Sequence, residues 1–342
     1  MLLVKKILDN LTSNLNLRQK QILNSRYNLD GGGQKTLAFL GKKFGITRER
    51  VRQIQNLILK NLRKNSQKNK DFKDLIAKIK DTLKKNGGLL RKDIFLNLTS
   101  KSINGLNEDN LFLLKEISEE FNFYEEDKNF HSFYYLKEIN LKNIFNFIDK
   151  WIKILEKNKD KVLEGGYHKL FEDFIKNEKI LKNYAINYIS ISKKIKVNQY
   201  GDIGLVSWPE INPKVIRDKV YLVLKKKKAP LHFTKISEEV NKLSSRKKLI
   251  STPTIHNELI KDKRFVLVGR GMYALREWGY EPGTAKDLII KLLKEEGPLR
   301  PQEIILAIQK TRFLKQNTIL ANLQNKNHFE RLADGTYKIK EA

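Results

Sequence analysis

The chain has 342 residues, with Lys+Arg 68 against Asp+Glu 39, a formal net charge of +29, and no cysteine. The missing cysteine excludes a disulfide framework, a thiol nucleophile and cysteine-ligated zinc or iron–sulfur sites. No run of about 18 apolar residues is present to span a membrane, and the opening MLLVKKILDNLTSN places acidic and polar residues where a signal peptide needs its apolar stretch. A hydrophobic content of 40% is enough to build cores, and the length predicts two or more domains. The expectation is a cytoplasmic, strongly basic protein attracted to polyanions, nucleic acid first.

In chain order, LNLRQKQILNSRYNL predicts an amphipathic helix ending at Asp30, with Leu15, Leu17, Ile22, Leu23 and Leu29 apolar. Gly31-Gly32-Gly33 breaks it. TLAFLGKKF predicts a second short helix with Leu37 and Leu40 inward, and Gly45-Ile46 a turn. Thr47 then caps a third helix, RERVRQIQNLILKNLRK, with Val51, Ile54, Leu57, Ile58 and Leu62 on one face. Arg48, Glu49, Arg52 and Gln53 are left on its outer, N-terminal face. Helix, short glycine-containing turn, helix is the grammar of a helix-turn-helix.

After a lysine- and asparagine-rich linker at 64–70, the chain repeats itself. GPLRPQEIILAI (297–308) matches GGLLRKDIFLNL (87–98), and more loosely APLHFTKISEEV (229–240). FERLADGTYKIKE (329–341) matches FVLVGRGMYALRE (265–277), with Gly335 under Gly271 and Tyr337 under Tyr273. Each unit reads as helices followed by a two-stranded alternating segment, the pattern of a winged helix. The fold class predicted is mainly α: tandem helix-turn-helix and winged-helix modules with short β-hairpin wings, at 1–66, 71–140, 141–213, 214–283 and 284–342. Local contacts predict that each unit folds separately.

Charge is spread unevenly over these units. Residues 1–70 hold 16 basic and 3 acidic residues, residues 71–140 hold 11 and 13, and residues 214–283 hold 17 and 7. Six of the fifteen arginines lie in the first 63 residues, where bidentate recognition is the sharper reading.

The stretch LRQKQILNSRYNLDGGGQKTLAFLGKKFGITRERVRQIQNLILKNLRK (17–64), and FGITRERVRQI (44–54) most strongly, resembles region four of bacterial sigma factors. The resemblance implies that the second helix enters the major groove of the −35 promoter element. Thr47, Arg48, Glu49, Arg52 and Gln53 are then the DNA-contacting positions. The chemistry agrees: arginine bonds guanine O6 and N7, glutamate accepts from the cytosine amine, and glutamine pairs with adenine. Only 16 residues precede the match, so the expectation is a protein other than a complete sigma factor. Residues 216–280, ending FVLVGRGMYALREWGY, resemble the HARE-type winged helix found in the delta subunit of some bacterial RNA polymerases. Its wing residues Tyr273, Leu275 and Trp278 are expected in the core. Lys225, Lys226, Lys227, Lys228, Arg246, Lys247, Lys248 and Arg270 are expected to add phosphate contacts.

Other motifs carry no chemistry. GGGQKT (31–36) lacks the glycine that a phosphate loop needs before its lysine. His131, His168, His232, His256 and His328 have no ligand spacing, and YEED, NEDN and EEVNKL no catalytic arrangement. No enzyme, cofactor, metal, small-molecule substrate or membrane is expected. The expected partner is double-stranded DNA, read by a nucleoid-associated transcription regulator. Two alternatives stand beside it: an accessory protein bound to the RNA polymerase core, and a modified-DNA or nucleoid-binding protein linked to a restriction system.

Overall fold

A computed structural model describes residues 2–243, 249–280, 283–311 and 314–340. The protein is mainly α, with small sheets of two or three strands. It divides into two compact units, Met1–Lys196 with Ile203–Val206, and Val197–Asp202 with Ser207–Ala342.

The first unit begins with β1 (Leu2–Leu3) and α1 (Val4–Leu11). Val4, Ile7, Leu8 and Leu11 recur at helical spacing and are all buried. Next come α2 (Leu17–Tyr27), α3 (Leu37–Phe44) and α4 (Arg48–Ser66). The helix α2 stops at Tyr27, short of Asp30, because Asn28 turns left-handed (φ 56) and its side-chain oxygen accepts from the Gly33 N–H at 2.6 Å. Leu17, one of the apolar residues of this helix, is 75% exposed. The Lys/Asn stretch expected as a linker is mostly helical. It carries α4 to Ser66, and Asn69 caps α5 (Lys70–Lys85) by accepting from the Phe72 N–H.

After α5 come β2 (Leu89–Arg91), α6 (Lys92–Ser100), β3 (Ile103–Asn104), α7 (Glu108–Ser118), β4 (Phe121–Tyr124) and β5 (Phe133–Leu136). The antiparallel sheet has the order β2-β5-β4, with Leu90 opposite Tyr134 and Phe123 opposite Tyr134. The strand β1 pairs in parallel with β3. One core runs through all these elements: Leu8, Leu23, Tyr27, Ile58 and Leu62 pack in the same cluster as Leu75, Phe95, Leu114 and Phe121. The core is therefore continuous across residues 1–66 and 71–140. The cause is that α4 is apolar on a second face, which α5 and α7 cover.

The unit continues with α8 (Leu141–Lys157), α9 (Lys159–Lys161), a π-helical turn (Val162–Gly166), α10 (Tyr167–Asn177), α11 (Lys182–Ser190) and the hairpin β6 (Ile195–Val197) with β7 (Ile203–Leu205). Trp151 is fully buried among Tyr167, Phe171 and Phe174. This segment grips the previous one. Tyr188 donates to the Gly87 carbonyl at 2.8 Å, Asn187 to the Asn86 carbonyl at 3.0 Å, and the Lys193 N–H to the Asn129 carbonyl at 2.8 Å.

The second unit repeats the helix, strand, helix, helix, hairpin order. It has α12 (Ile216–Lys227), β8 (Leu231–His232), α13 (Phe233–Lys242), α14 (Thr252–Lys261), β9 (Phe265–Gly269) and β10 (Met272–Leu275), in sheet order β8-β10-β9. Tyr273 and Leu275 lie in its core, and Trp278 packs on it half-buried. Then follow α15 (Ala285–Glu296), α16 (Pro301–Thr311), α17 (Gln316–Leu323), β11 (Phe329–Arg331) and β12 (Tyr337–Ile339). Here a single bridge, Leu299 to Tyr337, takes the place of the first strand. The sequence repeats fall on equivalent places. Gly88, Lys228 and Gly297 all take a positive φ between the first helix and the first strand or bridge, of 85°, 52° and 80°.

Candidate nucleic-acid interface

The turn between α3 and α4 is built by close approach. Gly41 is buried inside α3, and a Cβ placed on it would lie 2.8 Å from the Ile46 carbonyl oxygen and 3.3 Å from the Arg48 nitrogen. Only a residue without a side chain lets this turn pack so tightly. The Ile46 N–H donates to the Gly41 carbonyl at 3.0 Å, and Gly45 takes the left-handed conformation at the end of α3. Thr47 then caps α4, its hydroxyl accepting from the Arg50 N–H at 3.1 Å. Ile22, Leu40 and Val51 form a small core behind the turn. Arg18 ties α2 to the end of α3 through the Phe44 carbonyl at 3.0 Å.

This scaffold leaves Thr47, Arg48, Glu49, Arg52 and Gln53 exposed together on the first turns of α4. The face is internally paired. Arg52 grips Glu49 with two bonds, Nε to Oε2 at 2.8 Å and one terminal nitrogen to Oε1 at 2.7 Å. Arg50, which sequence reasoning passed over, is exposed and donates to Gln53 Oε1 at 3.1 Å. The hydrogen bond from Arg52 holds the Glu49 carboxyl below its ordinary range, and the same bond raises Arg52. Both groups are more than half exposed. An ion pair so exposed is screened by solvent and adds little, whereas a bidentate arginine–guanine contact contributes about 1–3 kcal/mol. The fork therefore opens readily for a base edge.

Farther along α4 the pattern departs from expectation. Leu57, assigned to the inner face, is 52% exposed, while Leu59 is buried. The inner stripe rotates midway because α4 changes partners. Val51 faces the small core behind the turn, and Ile58, Leu59 and Leu62 face the shared core with α7. Arg63, at the far end, donates to the Glu116 carbonyl at 3.0 Å and pairs with Glu119 at 2.9 Å.

The lysine run of the second unit is less available than its charge suggests. Lys225 lies 3.1 Å from the Tyr221 hydroxyl and 3.9 Å from Glu277, Lys226 pairs with Asp202 at 2.6 Å, and Lys227 with Glu239 at 3.2 Å. Lys228 caps α12 and has no ion pair among the described residues. Arg270 is exposed at the tip of the β9–β10 hairpin. Arg246, Lys247 and Lys248 lie outside the described residues.

The acidic motifs serve the fold. Asn107 caps α7, Glu108 pairs with Lys92, and Asp109 accepts from Asn28 at 2.9 Å. Asp127 accepts from the Tyr124 hydroxyl and the Asn129 and Phe130 N–H groups, which hold it below the usual carboxylate range, the tyrosine contributing most. Glu239 pairs with Lys242 and Lys227. The GGGQKT turn is pinned by Arg26 on the Lys35 carbonyl at 3.1 Å. Among the described residues no group of three or more His, Asp or Glu side chains is placed to hold a metal ion. No described helix is long and apolar enough to cross a membrane.

A capped helix set on a tight glycine turn, with its polar first turns exposed, defines a helix-turn-helix. Comparison with known proteins makes the likeness particular: residues 13–64 match the family described as sigma-70, region 4. Over 72 residues the chain is 42% identical to RNA polymerase sigma factor SigA of a Bacillus species, covering 20% of this chain and 19% of that protein. Over 61 residues it is 43% identical to SigA of Microcystis aeruginosa, covering 18% of this chain and 15% of that protein. The chain thus spans less than a fifth of the length of these curated relatives.

Proposed function

We propose that this protein is a sequence-specific DNA-binding regulator of transcription, working in the cytoplasm at the nucleoid. In this reading the start of α4 enters the major groove of a −35-like promoter element. The observation that carries it is the exposed Arg48, Glu49, Arg52 and Gln53 constellation, held at the start of a helix inside a sigma-70 region 4 domain. Arg52, released from Glu49, takes a guanine edge, Glu49 accepts from a cytosine amine, and Gln53 reads adenine. Thr47 and the first N–H groups of α4 face backbone phosphate, where a helix N-terminus favours negative charge. The helix, strand, helix, helix, hairpin segments are read as winged helices, that at 214–283 as HARE-type, with Arg270 and Lys228 adding phosphate contacts. The protein acts by binding rather than catalysis.

RNA polymerase core is the second proposed partner, favoured by the likeness to segments of two RNA polymerase sigma factors. Selection of duplexes from a random pool by the intact protein tests the main reading. A shared −35-like motif is expected, and Arg48→Ala with Arg52→Ala should weaken and blur the selection. Failure to enrich any motif, together with capture of polymerase in the absence of DNA, would replace it with the accessory-protein reading.

A further inference from the structure

The repeated units differ in what their third helix is free to do. In the unit at 71–140 that helix is α7, and it is spoken for. Leu111, Leu114 and Ile117 are buried, Phe112 packs on the Tyr27 ring at 5.4 Å, and Asp109 accepts from Asn28. The helix α11 is likewise engaged, with Asn187 and Tyr188 bonded to the start of the preceding unit.

The corresponding helix of the C-terminal unit, α17, is open. Ile319 and Leu323 face its core, while Gln316, Asn317, Thr318 and Ala321 are exposed. Against the end of α17 and the β11–β12 hairpin lies a cleft of about 670 Å³, lined by Lys326, Arg331, Lys340, the half-buried ring of Tyr337 and one carboxylate, Glu330, which pairs with Lys338 at 3.2 Å. None of the three lining cations has an ion pair with a described residue, in contrast to Lys226 and Lys227. No acidic residue occurs between Glu303 and Glu330. The unit's modest total charge hides this, because Asp287, Glu295, Glu296 and Glu303 lie on α15 and α16, while on the hairpin Glu330 pairs with Lys338 and Asp334 accepts from Thr336.

We propose that the C-terminal unit is a second duplex-DNA-binding module, distinct from the sigma-like domain. The cleft cations Lys326, Arg331 and Lys340 engage backbone phosphates, and Gln316 and Asn317 on α17 meet base edges. Free cations past one end of α17 and exposed amides at its other end match a polyanion whose base edges both donate and accept. Glutamine and asparagine pair bidentately with adenine, so the site favours A·T-containing sequence. An apolar peptide finds little to grip, since Leu323 and Phe329 in the cleft are buried.

The test uses the full chain on a duplex of about 60 base pairs, long enough to reach both modules. The triple variant Lys326→Ala, Arg331→Ala, Lys340→Ala should flatten the dependence of log K on log salt by roughly 2 to 3, about 0.9 for each phosphate left without its cation. It should also erase one protected segment from the footprint while leaving the segment that the Arg48→Ala, Arg52→Ala variant erases. Gln316→Ala with Asn317→Ala should keep the salt slope and abolish base preference in the C-terminal unit's segment only. Should the triple variant unfold, the single change Arg331→Gln should lower the slope by about 0.9. A folded triple variant with unchanged slope and footprint would overturn the proposal and leave the sigma-like reading standing. A variant that no longer binds duplex RNA but keeps its DNA footprint would overturn it in favour of an RNA site.

Discussion

Replacing Gly41 with alanine separates two forces of opposite sign. In the interior of a helix alanine is favoured over glycine by about 0.5–1 kcal/mol, so a slack turn would make the variant more stable. Here the new Cβ would meet the Ile46 carbonyl oxygen at 2.8 Å and the Arg48 nitrogen at 3.3 Å, both backbone atoms that cannot swing aside. Overpacking of this kind costs about 1–3 kcal/mol, which outweighs the propensity gain. The net expectation is a loss of up to about 2 kcal/mol. The atoms that must yield carry the start of α4, and a binding constellation tolerates about 0.5 Å of displacement. Affinity for the selected duplex should therefore fall tenfold or more, equivalent to about 1.4 kcal/mol. Thermal melting and a mobility-shift titration measure the two effects. A higher melting temperature with unchanged affinity would refute the close-packing argument.

Leu62→Ala removes a fully buried side chain from the shared core and should cost about 3–5 kcal/mol. With Trp208 and Trp278 changed to phenylalanine, Trp151 fluorescence should report the earlier urea transition, because α11 bonds one segment of the first unit to the next; an unmoved Trp151 signal would show that the segments unfold separately. Neutralising Lys225 to Lys228 should lower the salt slope of DNA binding by about one, from Lys228, rather than by the roughly 3.6 that four free phosphate-binding lysines would give. Arg270→Ala alone should lower it by about 0.9. Tyr27 is pushed up to about 12, chiefly by burial. Its neutral form is thus favoured by folding, so its contribution is intact below pH 10 and is lost as pH rises from about 10 to about 12. Alkaline unfolding of Tyr27→Phe should lack that component, and identical profiles for the two proteins would rule it out.

The parts of the fold legible in the sequence were those fixed by local chemistry. Thr47 as cap, the Gly45 turn, inward Leu40 and Val51 and the paired hairpins at 265–275 and 329–339 all follow from residues close to one another. The helix α1 carries equally clear spacing but stands beside the stronger motif that follows it. Less legible were features set by distant partners. A helix covered on two sides has two apolar stripes, so periodicity alone placed Leu57 inward and did not single out Leu59. Lysines at 225–227 looked free because Asp202, Glu239 and Glu277 lie far from them in sequence. The cleft around Lys326 and Arg331 is hidden in the sequence because charge summed over a whole unit averages it against α15 and α16.

The division of labour along α4 has a consequence for how such a protein can change its target. Its 19 residues put the exposed polar positions, Arg48 to Gln53, at one end and the buried Ile58, Leu59 and Leu62 at the other. In the proposed reading, substitutions at Arg48, Glu49, Arg52 and Gln53 alter which bases are met and touch no core, so new addresses can be tried one residue at a time without endangering the fold. Substitutions at the second end do the reverse. The helix behaves as a key whose bit can be recut while its shank stays fixed in the handle.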